Sequence, residues 1–145
     1  RRPIISRAPG WVIFGCNPRP VRKCFIMLIL IAGPYRSGTG DDAELMQQNL
    51  SRLEAAALEV FRLGHLPMIG EWAALPLMRM AGSQFPGDAV WESIQYPVAH
   101  SLLEKCDAVY RIEGASKGAD QDVRIAKDRG LPVYHRLEEI PPASH

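Results

Sequence analysis

Met27-Leu28-Ile29-Leu30-Ile31-Ala32, followed at once by Gly33-Pro34-Tyr35-Arg36, is the stretch on which the fold turns. Its apolar residues run without the polar alternation of a half-exposed strand, so both faces of the segment expect cover, as in a parallel sheet layered between helices. Gly33-Pro34 then ends it. Downstream, Asp41 or Asp42 can cap a helix in which Leu45, Leu50, Leu53, Ala57, Val60 and Phe61 recur at helical spacing until Gly64 stops it. Strand, loop and crossover helix make the first half of a βαβ unit.

The same grammar continues. Leu66 to Ile69 reads as a second strand, and Glu71 to Met80 as a helical stretch interrupted or bent near Pro76. Pro86-Gly87-Asp88 opens another helix, with Val90, Ile94, Val98, Leu102 and Leu103 as a buried stripe through Lys105 and a kink expected at Pro97. Asp107 to Ile112 is a third strand, Ala119 to Arg129 a helix closed by Gly130, and Leu131 to His135 a fourth strand. The tail from Arg136 runs into Pro141-Pro142 and is expected to be loosely held. Strands alternating with helices predict an α/β domain with a four- or five-stranded parallel sheet, and a ligand site beyond the strand C-termini where the strand order reverses.

Upstream of Met27 the character changes. Residues 1–26 hold Arg1, Arg2, Arg7, Arg19, Arg22 and Lys23 with no carboxylate, four prolines and little periodicity. Met27 reads as a natural start, which makes residues 1–26 a translated upstream region or an added remnant; a basic arm or an organelle-targeting peptide are the alternatives. Trp11 to Phe14 could pair as an edge strand. The expected organisation is therefore a basic extension over 1–26, an α/β domain over 27–137 and a tail over 138–145.

From Met27 onward the balance is eleven basic against sixteen acidic residues, a net charge opposed to nucleic-acid binding through a broad cationic footprint. A small-molecule partner fits better. The longest apolar run, Phe25 to Ala32, is too short to span a membrane, and 47% hydrophobic with 23% charged residues suits a soluble globular domain. Cys16, Cys24 and Cys106 are odd in number, lack CxxC spacing and have no histidine placed to complete a zinc site, so reduced thiols in a cytoplasmic protein are expected, with Cys106 in the core and no metal.

Two loops carry the chemistry. Ala32-Gly33-Pro34-Tyr35-Arg36-Ser37-Gly38-Thr39-Gly40 joins glycines, which let backbone N–H groups approach an anion, to hydroxyls, an aromatic ring and a guanidinium able to grip a phosphate in two-pronged fashion. It reads as a sugar or phosphate cradle or as an ordinary glycine-rich turn, and it has neither P-loop nor GxGxxG spacing. The second loop, Glu113-Gly114-Ala115-Ser116-Lys117-Gly118-Ala119-Asp120-Gln121-Asp122, enters a helix whose free N–H groups and dipole favour an anion, with Ser116 and Lys117 as further donors. Asp120 and Asp122 stabilise the helix dipole or serve chemistry.

The strand ending in Ala-Gly-Pro-Tyr, the later Cys-Asp-Ala-Val-Tyr-Arg-Ile, then Ser-x-Gly-Ala-x-x-Asp and Gly-Leu-Pro-Val-Tyr together resemble the nucleoside 2-deoxyribosyltransferase superfamily, which includes the deoxynucleoside monophosphate N-glycosidases. The resemblance covers most of Met27 to Tyr134. It implies a flavodoxin-like or Rossmann-like three-layer sandwich, no cofactor, a nucleoside or nucleotide as partner, and a homodimer or larger homo-oligomer. It also implies a carboxylate that attacks the anomeric carbon while the base leaves with help from an acid. By motif position Asp122 takes the place of the family's nucleophilic Glu, six residues after Ser116. Ser116 with Gly118 would meet the sugar or a 5′-phosphate, and Gly33, Tyr35, Arg36, Ser37 and Gly38 would line the sugar end. Asp in place of Glu withdraws the carboxylate by roughly one ångström, a displacement that can cost about a hundredfold in rate.

For the acid the sequence offers Asp88, Glu71 and Glu92, with Asp88 also suited to capping its helix and Glu71 to a helix start. His65, His100 and His135 read as structural or solvated. Trp72, Trp91 and Tyr96 are candidates to stack on a base, or are core or subunit contacts. Two readings follow: an enzyme cleaving or transferring an N-glycosidic bond, and a catalytically silent nucleotide-binding or sensing module on the same fold.

Overall fold

The computed structural model describes residues 25–143. Most of the basic extension, the edge strand considered over Trp11 to Phe14, and Cys16 and Cys24 lie outside the described residues. Strands β1 (Leu28–Ala32), β2 (Leu66–Ile69), β3 (Ala108–Arg111) and β4 (Val133–Tyr134) form one parallel sheet in the order β2-β1-β3-β4. Helices α1 (Ala43–Arg62), α2 (Gly70–Met80), α3 (Ala89–Lys105) and α4 (Lys117–Asp128) connect and cover it. Strand order reverses at β1, which has β2 on one side and β3 on the other, so β1 and β3 flank the crevice that this topology offers to ligands.

The uninterrupted apolar character of β1 has the expected cause. Ile29 and Ile31 point to one face, packing with Leu53, Ala57 and Val60 of α1, with Ile69 and with Ala108. Leu30 and Ala32 point to the other, packing with Leu103, Cys106, Val109, Ala119 and Ala126. A strand with both faces covered cannot alternate apolar and polar residues. Leu53 is fully buried, so Leu53→Ala would remove about 2–5 kcal/mol. Burial, and Asp107 beside it, push the Cys106 thiol up to about 11, as suits an inert core cysteine.

Asp42, not Asp41, caps α1, accepting from the Leu45 amide at 3.0 Å. Helices α2 and α3 each run through their proline, Pro76 and Pro97, so of the two alternatives read for α2, interrupted or bent, the interruption does not occur. The fourth helix begins earlier than its periodicity indicates, at Lys117, because the Ser116 hydroxyl caps it by accepting from Ala119 N at 3.1 Å.

The tail corrects the sequence reading. A turn of 3-10 helix over Leu137–Glu139 leads to Ile140, which is buried in the α1 face of the core, and Ala143 N donates to Leu63 O at 2.8 Å. Buried His65 accepts at Nδ1 from the Met27 amide at 3.1 Å, which leaves Nε2–H to donate to Pro141 O at 2.6 Å. The imidazole thus holds the start of β1 and the tail together, the structural role read for it. No helix among the described residues is long and apolar enough to cross a membrane.

Candidate active site

A cavity opens at the C-terminal end of β1, lined by residues of α2 and α3 and by the N-terminal part of α4. Gly33, Tyr35, Arg36 and Ser37 line it from the loop after β1, Glu71 from the first turn of α2, and Ser116, Gly118 and Asp122 from the second loop and α4. Eight positions read from two distant loops and one helix start therefore share one space. Gly38 and Asp88 do not line it.

The site carboxyls are set by burial. Desolvation pushes the Asp122 carboxyl up to about 7, the Glu71 charge adds to the rise, and the Arg111 guanidinium opposes it. Glu71 is likewise raised, chiefly by desolvation, and Tyr35 is raised by burial and by Glu71. Two carboxyls that both resist ionisation in one cavity titrate as a pair and retain a proton to near neutrality. Perturbation of this kind marks candidate acid–base sites. Ser116 is buried, and because its oxygen caps α4 its hydroxyl hydrogen is left to donate elsewhere.

Arg36 is already engaged. Its Nε donates to Asp41 Oδ1 at 2.6 Å and Nη2 to Oδ2 at 3.2 Å, the two-pronged grip expected for a phosphate, with Glu92 4.0 Å from Nη1. Gly87, at φ +83°, lies so close that a Cβ there would come within 2.4 Å of Arg36 Nη2, so the loop before α3 rests on the guanidinium. Gly33 is needed for packing: a Cβ there would lie 2.4 Å from Ile112 Cγ1.

Asp88 answers to different partners. It caps α3, with Oδ1 accepting from Trp91 N at 2.8 Å and Ser83 Oγ at 2.9 Å, and Oδ2 from Gln84 N at 2.8 Å and Phe85 N at 3.4 Å. The Trp91 amide first, and the other donors with it, hold its carboxyl down at about 2. A group so fully satisfied holds no proton to give, and it sits outside the cavity, so the capping alternative describes it.

The second loop also divides. Lys117 and Asp120 face a separate groove with Arg111, Arg124 and Arg136, and Asp120 accepts from Arg111 Nη2 at 3.0 Å. Lys117 is therefore not a donor to the cavity. Trp91 and Tyr96 line the cavity whereas Trp72 does not, its indole N–H donating to Glu54 at 3.2 Å. Trp91 is buried and lies nearly parallel to Tyr35, ring centroids 6.4 Å apart and planes 6° from parallel. Gln95, Gln121 and His100 line the cavity unanticipated as site residues. The sequence sign for Gln95 is its spacing, four residues after Trp91 on the same helix.

No protein-family model matches the sequence, and no curated protein does. Among solved structures, a 2-deoxyribosyltransferase from the psychrotolerant bacterium Bacillus psychrosaccharolyticus superposes with a TM-score of 0.54 at 18% identity, over 73% of this chain and 69% of that one. That enzyme is described as a biocatalyst for nucleoside synthesis. At this identity the likeness concerns architecture: the described residues form a flavodoxin-like α/β domain of the kind that 2-deoxyribosyltransferase has.

Proposed function

We propose that this chain cleaves or transfers the N-glycosidic bond of a nucleoside or nucleotide, with Asp122 as nucleophile and Glu71 as acid. The observation that carries the reading is the pair of desolvated carboxyls, Asp122 and Glu71, in one cavity at the strand-order reversal with Ser116, Tyr35, Arg36 and Ser37. The fold shared with a 2-deoxyribosyltransferase supports it.

Asp122 holds its proton to about pH 7 beside the Glu71 charge, and the productive microstate of the pair is the one in which that proton sits on Glu71 and Asp122 carries the charge. Asp122 forms a bond to the anomeric carbon while the carbon–nitrogen bond breaks, its electron pair leaving with the base, which takes the proton from Glu71. Water, or a second base, then attacks the anomeric carbon, gives its proton to Glu71 and frees Asp122 as the carbon–oxygen bond to it breaks, as in two-step glycoside hydrolysis with retention. Desolvation suits the first step, since a carboxylate stripped of water is a stronger partner for an oxocarbenium-like centre.

The test is base release from deoxynucleosides and their monophosphates, followed chromatographically for the native protein and Asp122→Ala. Release that falls at least about a thousandfold in the variant is the expected outcome. Saturable binding without release by the native protein would instead favour the silent binding module, which the shorter Asp122 side chain favours on distance grounds.

A further inference from the structure

Gln95 reaches the cavity from α3, one helical turn beyond Trp91. The Trp91 indole nitrogen can only donate a hydrogen bond, and it lies 2.9 Å from Gln95 Oε1. This fixes which end of the amide is which: the oxygen is turned to the indole, and the NH₂ group must face away from it. Trp91 has little freedom to release that constraint, because it is buried against Ala74 and Met78 and stacks on Tyr35. No protein acceptor among the described residues takes the Gln95 N–H groups, and no side-chain nitrogen or oxygen there is both buried and unpartnered, so the NH₂ remains open to an incoming group. Gln95 thus brings to the α3 wall of the cavity an amide whose uncommitted hydrogens are both donors.

We infer that Gln95 is a specificity-determining residue: held by Trp91 with its NH₂ toward the cavity, it selects bases with a carbonyl oxygen over bases with an exocyclic amine. The inference rests on the cavity being a nucleoside site. A 6-oxo purine or 4-oxo pyrimidine offers an acceptor to the amide, whereas a 6-amino purine or 4-amino pyrimidine opposes it with a second donor and leaves two polar groups unpaired. Trp91 acts here as a positioning residue, because removing its N–H frees the amide to turn over and present its oxygen.

The experiment measures affinities of deoxyinosine against deoxyadenosine, and of deoxyuridine against deoxycytidine, by calorimetry in an Asp122→Asn background that cannot form the covalent bond. Oxo bases should bind roughly tenfold tighter or more. Gln95→Glu, whose carboxylate still accepts from Trp91 but offers only an acceptor to the cavity, should reverse the order, and Gln95→Leu should abolish it. Trp91→Phe, which keeps the aromatic packing, should shrink the preference several-fold, a change that a merely structural role for Trp91 would not produce in a ratio of affinities. Equal binding of oxo and amino bases, or a preference that survives Gln95→Leu, overturns the assignment while leaving the nucleoside site intact. Failure of all four to bind, both as nucleosides and as their 5′-monophosphates, overturns both.

Discussion

Asp122 and Asp88 are the same residue type placed near the N-termini of packed helices, α4 and α3, and the fold treats them in opposite ways. Asp88 collects hydrogen bonds from three backbone amides and a hydroxyl, and its carboxyl titrates at about 2. Asp122 is withdrawn from water beside a second carboxyl and titrates at about 7. Helix position accounts for part of this, since Asp88 is the N-cap of α3 whereas Asp122 is the sixth residue of α4, beyond the first turn in which the dipole acts. What separates them further is the supply of donors: a carboxylate given amides becomes part of the scaffold, and a buried one denied them ionises only at higher pH.

The largest expected break in this contrast is catalytic. Asp122→Ala should remove base release by about a thousandfold or more, whereas Asp88→Ala should leave release per folded molecule unchanged. Next, Glu71→Gln should lower the rate by about a hundredfold through loss of the acid. It should also change the pH profile in a defined direction. In the native protein release should decline as pH rises past about 7, where the pair surrenders its remaining proton. Without the Glu71 charge Asp122 ionises at lower pH, so the residual activity of Glu71→Gln should no longer show that decline.

A smaller effect is thermodynamic. The folded-state titration of Asp122 is raised from 3.8 to about 7, so folding holds its proton where the unfolded chain releases it, and stability is lost as pH climbs between those values. Asp122→Asn should accordingly stabilise the protein by a few kcal/mol at pH 8 and by almost nothing at pH 4, read from denaturant unfolding at the two pH values. The smallest effect is the mirror of this. Asp88→Ala should lower the melting temperature by several degrees at pH 7 through loss of the α3 cap, with the deficit shrinking as pH falls toward 2, where the native carboxyl is itself neutralised.

The sheet and its helices were legible in the sequence because their signals are collective. The run Leu28 to Ala32 and the spacing from Leu45 to Val60 each repeat one instruction several times, and no single residue has to be read correctly. The site was legible in outline for a related reason, since glycine-rich loops after two strands must meet at one rim of a parallel sheet. What could not be read were facts that depend on one side chain's direction. Lys117 and Ser116 are adjacent, yet Ser116 is the extended N-cap of α4 and Lys117 its first helical residue, and the chain's change of direction there puts one in the cavity and the other in the outer groove. Asp88 could be weighed as cap or acid, but its partners Ser83 and Gln84 carry no pattern that announces them. Ile140 is a lone apolar residue before two prolines, with no period to mark it as core.

The imidazole of His65 gives the ends of the described chain a common fate. Because one ring accepts from Met27 and donates to Pro141, the first strand cannot peel from the sheet without unseating the closing segment, nor can that segment lift off alone. Deuterium uptake at the amides of Met27 and Ala143, 116 positions apart in the chain, should therefore proceed in step, through a single opening event shared by both margins of the domain.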